Sequence, residues 1–139
     1  MSANLFGTAE SDKRILVVDF GAQYAQLIAR RVRESNVYSE IVSHELDAEN
    51  FAELKPSGII FSGGPASVNV EGAPKIDPAI YELGVPILGI CYGAQLIAQQ
   101  NGGSVEGNEK GEYGRTVVNV NESGVLLSGV ETSTQQVWM

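Results

Sequence analysis

The sequence holds one cysteine and one histidine in 139 residues. One cysteine cannot close an internal disulfide, and one thiol with one imidazole is a poor supply of ligands for zinc, so neither a disulfide scaffold nor a zinc site is expected. Basic residues are scarce as well: 9 Lys and Arg stand against 17 Asp and Glu, a formal charge of −8. The field of such a chain repels phosphate backbones and anionic lipid, which argues against nucleic acid and membrane surfaces as partners. No apolar run approaches the roughly 20 residues of a membrane span. The opening residues, Met1 to Asp12, lack the basic flank and apolar stretch of a signal peptide. A cytoplasmic protein is expected, in which Cys91 is either core filler or a reagent.

What is present is apolar mass, 43% of the residues, enough for one core and one domain. Ile15 to Val18 is a short β-branched run that ends at Asp19-Phe20-Gly21, and apolar residues at Tyr24, Leu27, Ile28 and Val32 follow at helical spacing. Asn36 closes that helix, Tyr38 to Ser43 reads as a weaker strand, and Asp47 can cap a short helix through Leu54 before Lys55-Pro56 stops it. The unit repeats: Gly58 to Phe61 as a buried strand, Ser62 to Pro74 as a loop, Asp77 to Leu83 as a helix, Val85 to Ile90 as another buried strand.

Apolar strands separated by amphipathic helices predict a doubly wound α/β domain, a mainly parallel flavodoxin-like sheet with helices on both faces. Ligands in such folds bind beyond the carboxyl ends of the strands, so the loops after Val18, Phe61 and Ile90 should carry the chemistry. After Gly102-Gly103 the texture changes to short β-like pieces, Arg115 to Val120 and Gln135 to Trp138, with Gly107, Gly111 and Gly114 between, a β excursion in the last third. Residues 1–11 are polar and expected to fray, leaving 12–139 as the domain.

The sharpest local signal is Gly89-Ile90-Cys91-Tyr92-Gly93-Ala94-Gln95, which leaves a strand and enters a helical segment, Leu96 to Gln100. This is the thiol form of the strand-turn-helix elbow that presents a nucleophile. The apex of such a turn is strained, and side chains two positions to either side would collide with neighbouring chain, so glycine is needed at 89 and 93. The first turn of a helix, with its free N–H groups and dipole, favours the anionic thiolate that attack requires. The alternative is an inert buried cysteine acting as a small hydrophobe.

Ser62-Gly63-Gly64-Pro65 follows the strand expected beside the cysteine strand. Its free N–H groups can face the same substrate atom, and the amides of Gly64 and Tyr92 are the natural pair of donors for a tetrahedral oxyanion. The loop can also be a structural turn, or the start of a phosphate-binding Ser-Gly-Gly-x-Asp-Ser loop. Pro65-Ala66-Ser67 opposes the last option, having no acidic residue and a proline where an amide donor is wanted.

Val18-Asp19-Phe20-Gly21-Ala22-Gln23-Tyr24, Ser62-Gly63-Gly64-Pro65 and the cysteine turn, in that order, resemble the successive motifs of the class I glutamine amidotransferases. The first motif, with the stretch Gln26 to Glu34, Pro56 to Ile60 and the ending Val137-Trp138-Met139, is most similar to the GMP synthetase branch of that family. The resemblance implies that Cys91 attacks the carboxamide of L-glutamine, forms a γ-glutamyl thioester and releases ammonia. A partner ATP pyrophosphatase (synthetase) domain or subunit would use that ammonia to aminate XMP to GMP, with ATP and Mg2+ bound there and no cofactor on this domain. It further implies that Gln95, with Gly63, holds the bound glutamine, and that Asp19-Phe20-Gly21 shapes the cleft rim or the face toward the synthetase, unless it is only a strand-ending turn.

Two departures accompany the resemblance. At Ala94 the family usually carries a larger residue such as methionine, so packing beside the nucleophile should differ there. The family supplies the proton-moving base and its carboxylate as a His-x-Glu pair well downstream of the cysteine, and this chain has no histidine after Cys91. The family usually continues beyond Val137-Trp138-Met139, so the domain is expected to be truncated and this chain alone inactive. His44, at the end of the second strand, matches no family role and is expected to be a strand-end histidine. Competing readings are a non-catalytic fragment that binds glutamine or the synthetase, and the glutaminase component of anthranilate synthase, carbamoyl phosphate synthetase or CTP synthase. A flavodoxin-like cofactor carrier shares the fold class, but nothing in the chain calls for flavin.

Overall fold

A computed structural model describes residues 13–64, 67–107, 114–130 and 133–138. Residues 1–11, Pro65, Ala66, Gly111 and Met139, on which parts of the sequence reading fall, lie outside them. The chain divides into two compact units, residues 1–105 and 106–139. The first contains β1 (Arg14–Asp19), α1 (Ala25–Glu34), β2 (Tyr38–Ser43), α2 (Ala48–Glu53), β3 (Gly58–Phe61), a 3₁₀ turn (Pro78–Glu82), β4 (Ile87–Gly89) and α3 (Tyr92–Gln100). The second contains an antiparallel pair, β5 (Arg115–Asn119) and β6 (Thr134–Trp138), with Arg115 opposite Trp138.

In the first unit the strands form one parallel sheet in the order β2-β1-β3-β4. The chain moves to one side of β1 to make β2 and returns to the other to make β3, so the order reverses between β1 and β3. A crevice opens at such a switch point beyond the carboxyl ends of the strands. Side chains of a strand alternate between faces, and the core divides accordingly. Leu16 and Val18 pack with Phe51 of α2, Ile80 of the 3₁₀ turn and Leu96 of α3. Val17 packs on the other face with Ala25 and Ala29 of α1, backed by Ile28 and Ile60. Helices therefore cover both faces, and the mainly parallel α/β architecture expected from the sequence is present. Each fully buried aliphatic side chain of β1 contributes about 1.5–3 kcal/mol.

Local detail departs from the sequence reading in places. In α1 the face against the sheet is made by the small residues Ala25 and Ala29, whereas Tyr24 and Leu27 remain 65% and 46% exposed. Two alanines let the helix axis approach Val17 closely, and the buried Ser39 hydroxyl of β2 secures it by donating to the Ala29 carbonyl at 2.6 Å. The expected Asp77–Leu83 helix is a five-residue 3₁₀ turn, opened by Pro78 and bounded by Asp77 and Leu83. The expected strand from Val85 shortens to Ile87–Gly89, since Pro86 has no N–H for a ladder. It is also less buried than expected, with Leu88 37% exposed, because it is the edge strand. Other signals hold: Asp47 accepts from the Asn50 N–H at 2.9 Å, and Asn36 and Lys55 adopt φ of 61° and 50° just past α1 and α2.

Asp77 fastens two elements at once. Its Oδ2 accepts from the Ala48 N–H at 2.9 Å, at the start of α2, and its Oδ1 from the Ala79 N–H at 3.1 Å, in the 3₁₀ turn. The Ala48 bond first and the Ala79 bond second favour the carboxylate and hold Asp77 below its ordinary value of 3.8. The folded chain thus binds this proton less readily than the unfolded one. The stabilisation is complete above the ordinary value and is lost as the pH falls through the lower folded value. Asp77→Asn should lower the thermal midpoint at neutral pH and show a shallower further fall than the parent below about pH 5. Thermal melts across that range, followed by circular dichroism, check it; parallel curves would contradict it.

Candidate active site

The sheet ends where Ile90 donates to the Phe61 carbonyl at 3.0 Å, and the chain then turns through Cys91 into α3. Cys91 holds φ 52° and ψ −114°, a conformation that costs an L-residue about 1–3 kcal/mol and persists only where its surroundings impose it. Here they do. A Cβ on Gly89 would lie 2.7 Å from the Ala94 Cα and N, and a Cβ on Gly93 would lie 2.5 Å from the Phe61 Cβ and carbonyl oxygen. Only glycine at both positions lets the helix start this close to the strand. The Gly93 N–H then reaches the Ser62 carbonyl at 3.2 Å and the Ile90 carbonyl at 3.0 Å, binding the turn to the neighbouring loop. The thiol is exposed at the apex. Ala94 is also exposed, so its small side chain removes no buried contact there.

The diglycine loop begins at Ser62, which is buried and ties β3 to β1: its N–H and hydroxyl both donate to the Val18 carbonyl, at 3.2 and 2.7 Å. Gly63 follows with its Cα hydrogen toward Cys91, where an added Cβ would lie 3.8 Å from the cysteine Cβ. Gly64 lies flat against the Tyr92 ring, where an added Cβ would fall 2.5 Å from Cγ. Among the described residues neither the Gly64 nor the Tyr92 N–H has an acceptor. The loops after β3 and β4 are thus brought together with two amide donors to spare.

Gln95 stands four residues after Cys91, one helical turn on and on the same side of α3. Its Oε1 is buried and has no hydrogen-bond partner among the described residues. An unmet buried acceptor costs about 1–3 kcal/mol, a penalty that a ligand carrying an N–H donor would relieve. Tyr92 is 2% exposed, burial pushes its phenol above the ordinary value, and its hydroxyl donates to the Pro74 carbonyl. Asp19 accepts from the Gly21 N–H at 2.7 Å in a turn that ends β1, with Gly21 at φ 98°.

Two features of the site escaped the sequence reading. Phe20 is wholly buried beneath the turn, with its ring 5.5 Å from Phe61, 5.4 Å from Tyr92 and 5.8 Å from His44. An aromatic residue between Asp19 and Gly21 was the available signal, since a loop residue that only turns the chain has no need of a ring. The second is the segment 74–76, which interacts with His44, Tyr92 and Gln100 and has no sequence signature. Among the described residues no cluster of three or more His, Cys, Asp or Glu could hold a metal ion, and no helix is long and apolar enough to cross a membrane.

Residues 16–138 match the family model for glutamine amidotransferase class-I. A protein of Nocardia farcinica described as GMP synthase [glutamine-hydrolyzing] is 56% identical over 131 residues, which are 94% of this chain and 25% of that protein. One of the same description from Aquifex aeolicus is 58% identical over 125 residues, 90% of this chain and 24% of that protein. The chain spans about a quarter of the length of the curated relatives it matches. A crystal structure from Thermoplasma acidophilum, described as that of a GMP synthase subunit, superposes with a TM-score of 0.77 at 33% identity, covering 91% of this chain and 63% of that one.

The close approach at residue 93 can be tested against the looser one at residue 63. Gly93→Ala should destabilise the fold by about 1–3 kcal/mol, as overpacking does, while Gly63→Ala should stay within about 0.5 kcal/mol. Urea unfolding midpoints of the two variants check this; equal midpoints would mean that the turn tolerates a side chain against Phe61.

Proposed function

The chain belongs to the class-I glutamine amidotransferase family, and from that premise we propose that it is the glutamine-hydrolysing part of a GMP synthase. The observation that carries the proposal is the exposed Cys91 at a strained strand-to-helix turn, with the diglycine loop packed beside it. The Cys91 thiolate adds to the carboxamide carbon of L-glutamine. The carbonyl oxygen becomes an oxyanion, and the N–H groups of Gly64 and Tyr92 donate to it, each worth about 3 kcal/mol in such sites. Collapse of the adduct with proton transfer to nitrogen releases ammonia and leaves a γ-glutamyl thioester, which water hydrolyses to glutamate and free thiol. Gln95 holds the bound glutamine through its side-chain oxygen, with Gly63 lining the same pocket.

Ammonia is then consumed by the synthetase part, in cis or in trans, which activates XMP with ATP and Mg2+ and forms GMP. In this reading ATP and Mg2+ are bound by the synthetase part and this domain uses no cofactor. Residues 12–139 form the amino-terminal part of the amidotransferase domain in this reading, and the cytoplasm, where nucleotides are made, is its compartment. Proton transfer needs a base, and no histidine follows Cys91 in this chain. Glutamine binding and thiol attack can thus be measured here separately from turnover.

A diazoketone analogue of glutamine should form one adduct, at Cys91, suppressed by L-glutamine and abolished in Cys91→Ser, as peptide mass spectrometry would show. Ammonia release by the pure chain should fall at least ~100-fold below that of a whole enzyme, the lower bound for losing a general base. Labelling without protection by glutamine would refute the substrate pocket, and brisk ammonia release would refute the assignment of the base.

A further inference from the structure

Three successive carbonyls in the segment 74–76 are each held by a side chain, two from the opposite ends of α3 and one from the residue that follows β2. The Tyr92 hydroxyl donates to the Pro74 carbonyl, His44 Nδ1 lies 3.1 Å from the Lys75 carbonyl, and Gln100 Nε2 donates to the Ile76 carbonyl at 2.9 Å. The segment has no helix or strand of its own, and these bonds help to locate it together with the buried Ile76 side chain and the Lys75 ammonium, which donates to the Val68 carbonyl and Gln99 Oε1. A carbonyl oxygen can only accept, hence His44 Nδ1 carries the proton and acts as the donor. The imidazole also stacks on Phe20, with ring centres 5.8 Å apart and planes 19° apart, and Phe20 in turn lies 5.4 Å from the Tyr92 ring. Imidazole, phenyl and phenol therefore stand in a row whose two outer members grip adjacent carbonyls of one segment.

We infer that His44 is a positioning residue for the oxyanion donors, a role that rests on the glutaminase reading of the site. Tyr92 is where the row meets the chemistry. Its N–H is one donor, and its ring bounds Gly64, which carries the other. A Tyr92 ring free to shift would displace both amides together. The contact that opposes that shift at the far end of the row is the His44 bond, which holds the Lys75 carbonyl next to the carbonyl that Tyr92 grips. In this role His44 acts on the reaction through Tyr92.

Two substitutions separate the donor from the ring. His44→Asn places an amide N–H near the Nδ1 position, whereas His44→Phe keeps an aromatic face toward Phe20 and has no donor. Ring 15N spectra of the native chain should show the Nδ1–H tautomer. Hydrogen exchange at the Gly93 amide, which bridges the cysteine turn and the diglycine loop, should quicken about tenfold in His44→Phe, the size of one neutral hydrogen bond, and stay near native in His44→Asn. Labelling of Cys91 by the diazoketone analogue should slow by a similar factor in His44→Phe alone, while iodoacetamide, which needs no oxyanion donors, reacts within about twofold of native in both.

An Nε2–H tautomer, native behaviour of His44→Phe, or equal losses with both reagents or in both variants would overturn the inference. Should the native chain itself resist the analogue while accepting iodoacetamide, the glutaminase reading falls instead. The tautomer and the Gly93 exchange rates then decide the role of His44 in ordering the two loops.

Discussion

The site depends on one backbone conformation. Cys91 sits at φ 52°, in a region that L-residues avoid, and is held there by hydrogen bonds and packing from three directions. Ile90 is tied to Phe61, the Gly93 amide is shared between Ser62 and Ile90, and the Gln95 N–H returns to the Cys91 carbonyl. The glycines at 89 and 93 are the condition for all of these, since a methyl group at either would enter atoms of Ala94 or Phe61. Strain at the apex and close packing around it are therefore two aspects of the same arrangement, with the cost of the first met by the contacts of the second.

Topology places the other half of the site. In a sheet ordered β2-β1-β3-β4, the loops after β1 and β3 diverge at the reversal, and the loop after β4 faces the one after β3. Pairing of Phe61 with Gly89 sets the register, so Ser62 to Gly64 run alongside Ile90 to Tyr92. The Ser62 hydroxyl, turned back to the Val18 carbonyl, prevents the diglycine loop from swinging clear. Free amides are costly in a packed interior, and here they lie at the edge of a crevice where a ligand oxygen can take them.

Much of this was legible in the sequence because the relevant signals are local. A β-branched run followed by a glycine-flanked cysteine specifies strand, turn and helix over a few residues, and Asp47 caps its helix as its side chain allows. Other features depend on residues far apart in the chain, which no local pattern reports. Tyr24, Leu27, Ile28 and Val32 recur at helical spacing, yet the buried contact of α1 with Val17 is made by Ala25 and Ala29, because that strand residue is close. The brief 3₁₀ turn and the late start of β4 follow from Pro78 and Pro86, which permit less regular backbone than the hydrophobic pattern alone implied. The ring row of His44, Phe20 and Tyr92 joins three separate strand ends, and the segment it grips shows no periodicity at all.

The edge position of β4 has a consequence of its own. Among the described residues, one side of this strand carries no neighbour, and Leu88 presents an apolar surface beside that open border. Backbone groups along such a margin keep their capacity to bond, and an extended segment from any source can lay itself against them without displacing what is already folded. The cysteine turn issues directly from this margin, so a newcomer strand would become a wall of the crevice beside Cys91 as it extended the sheet.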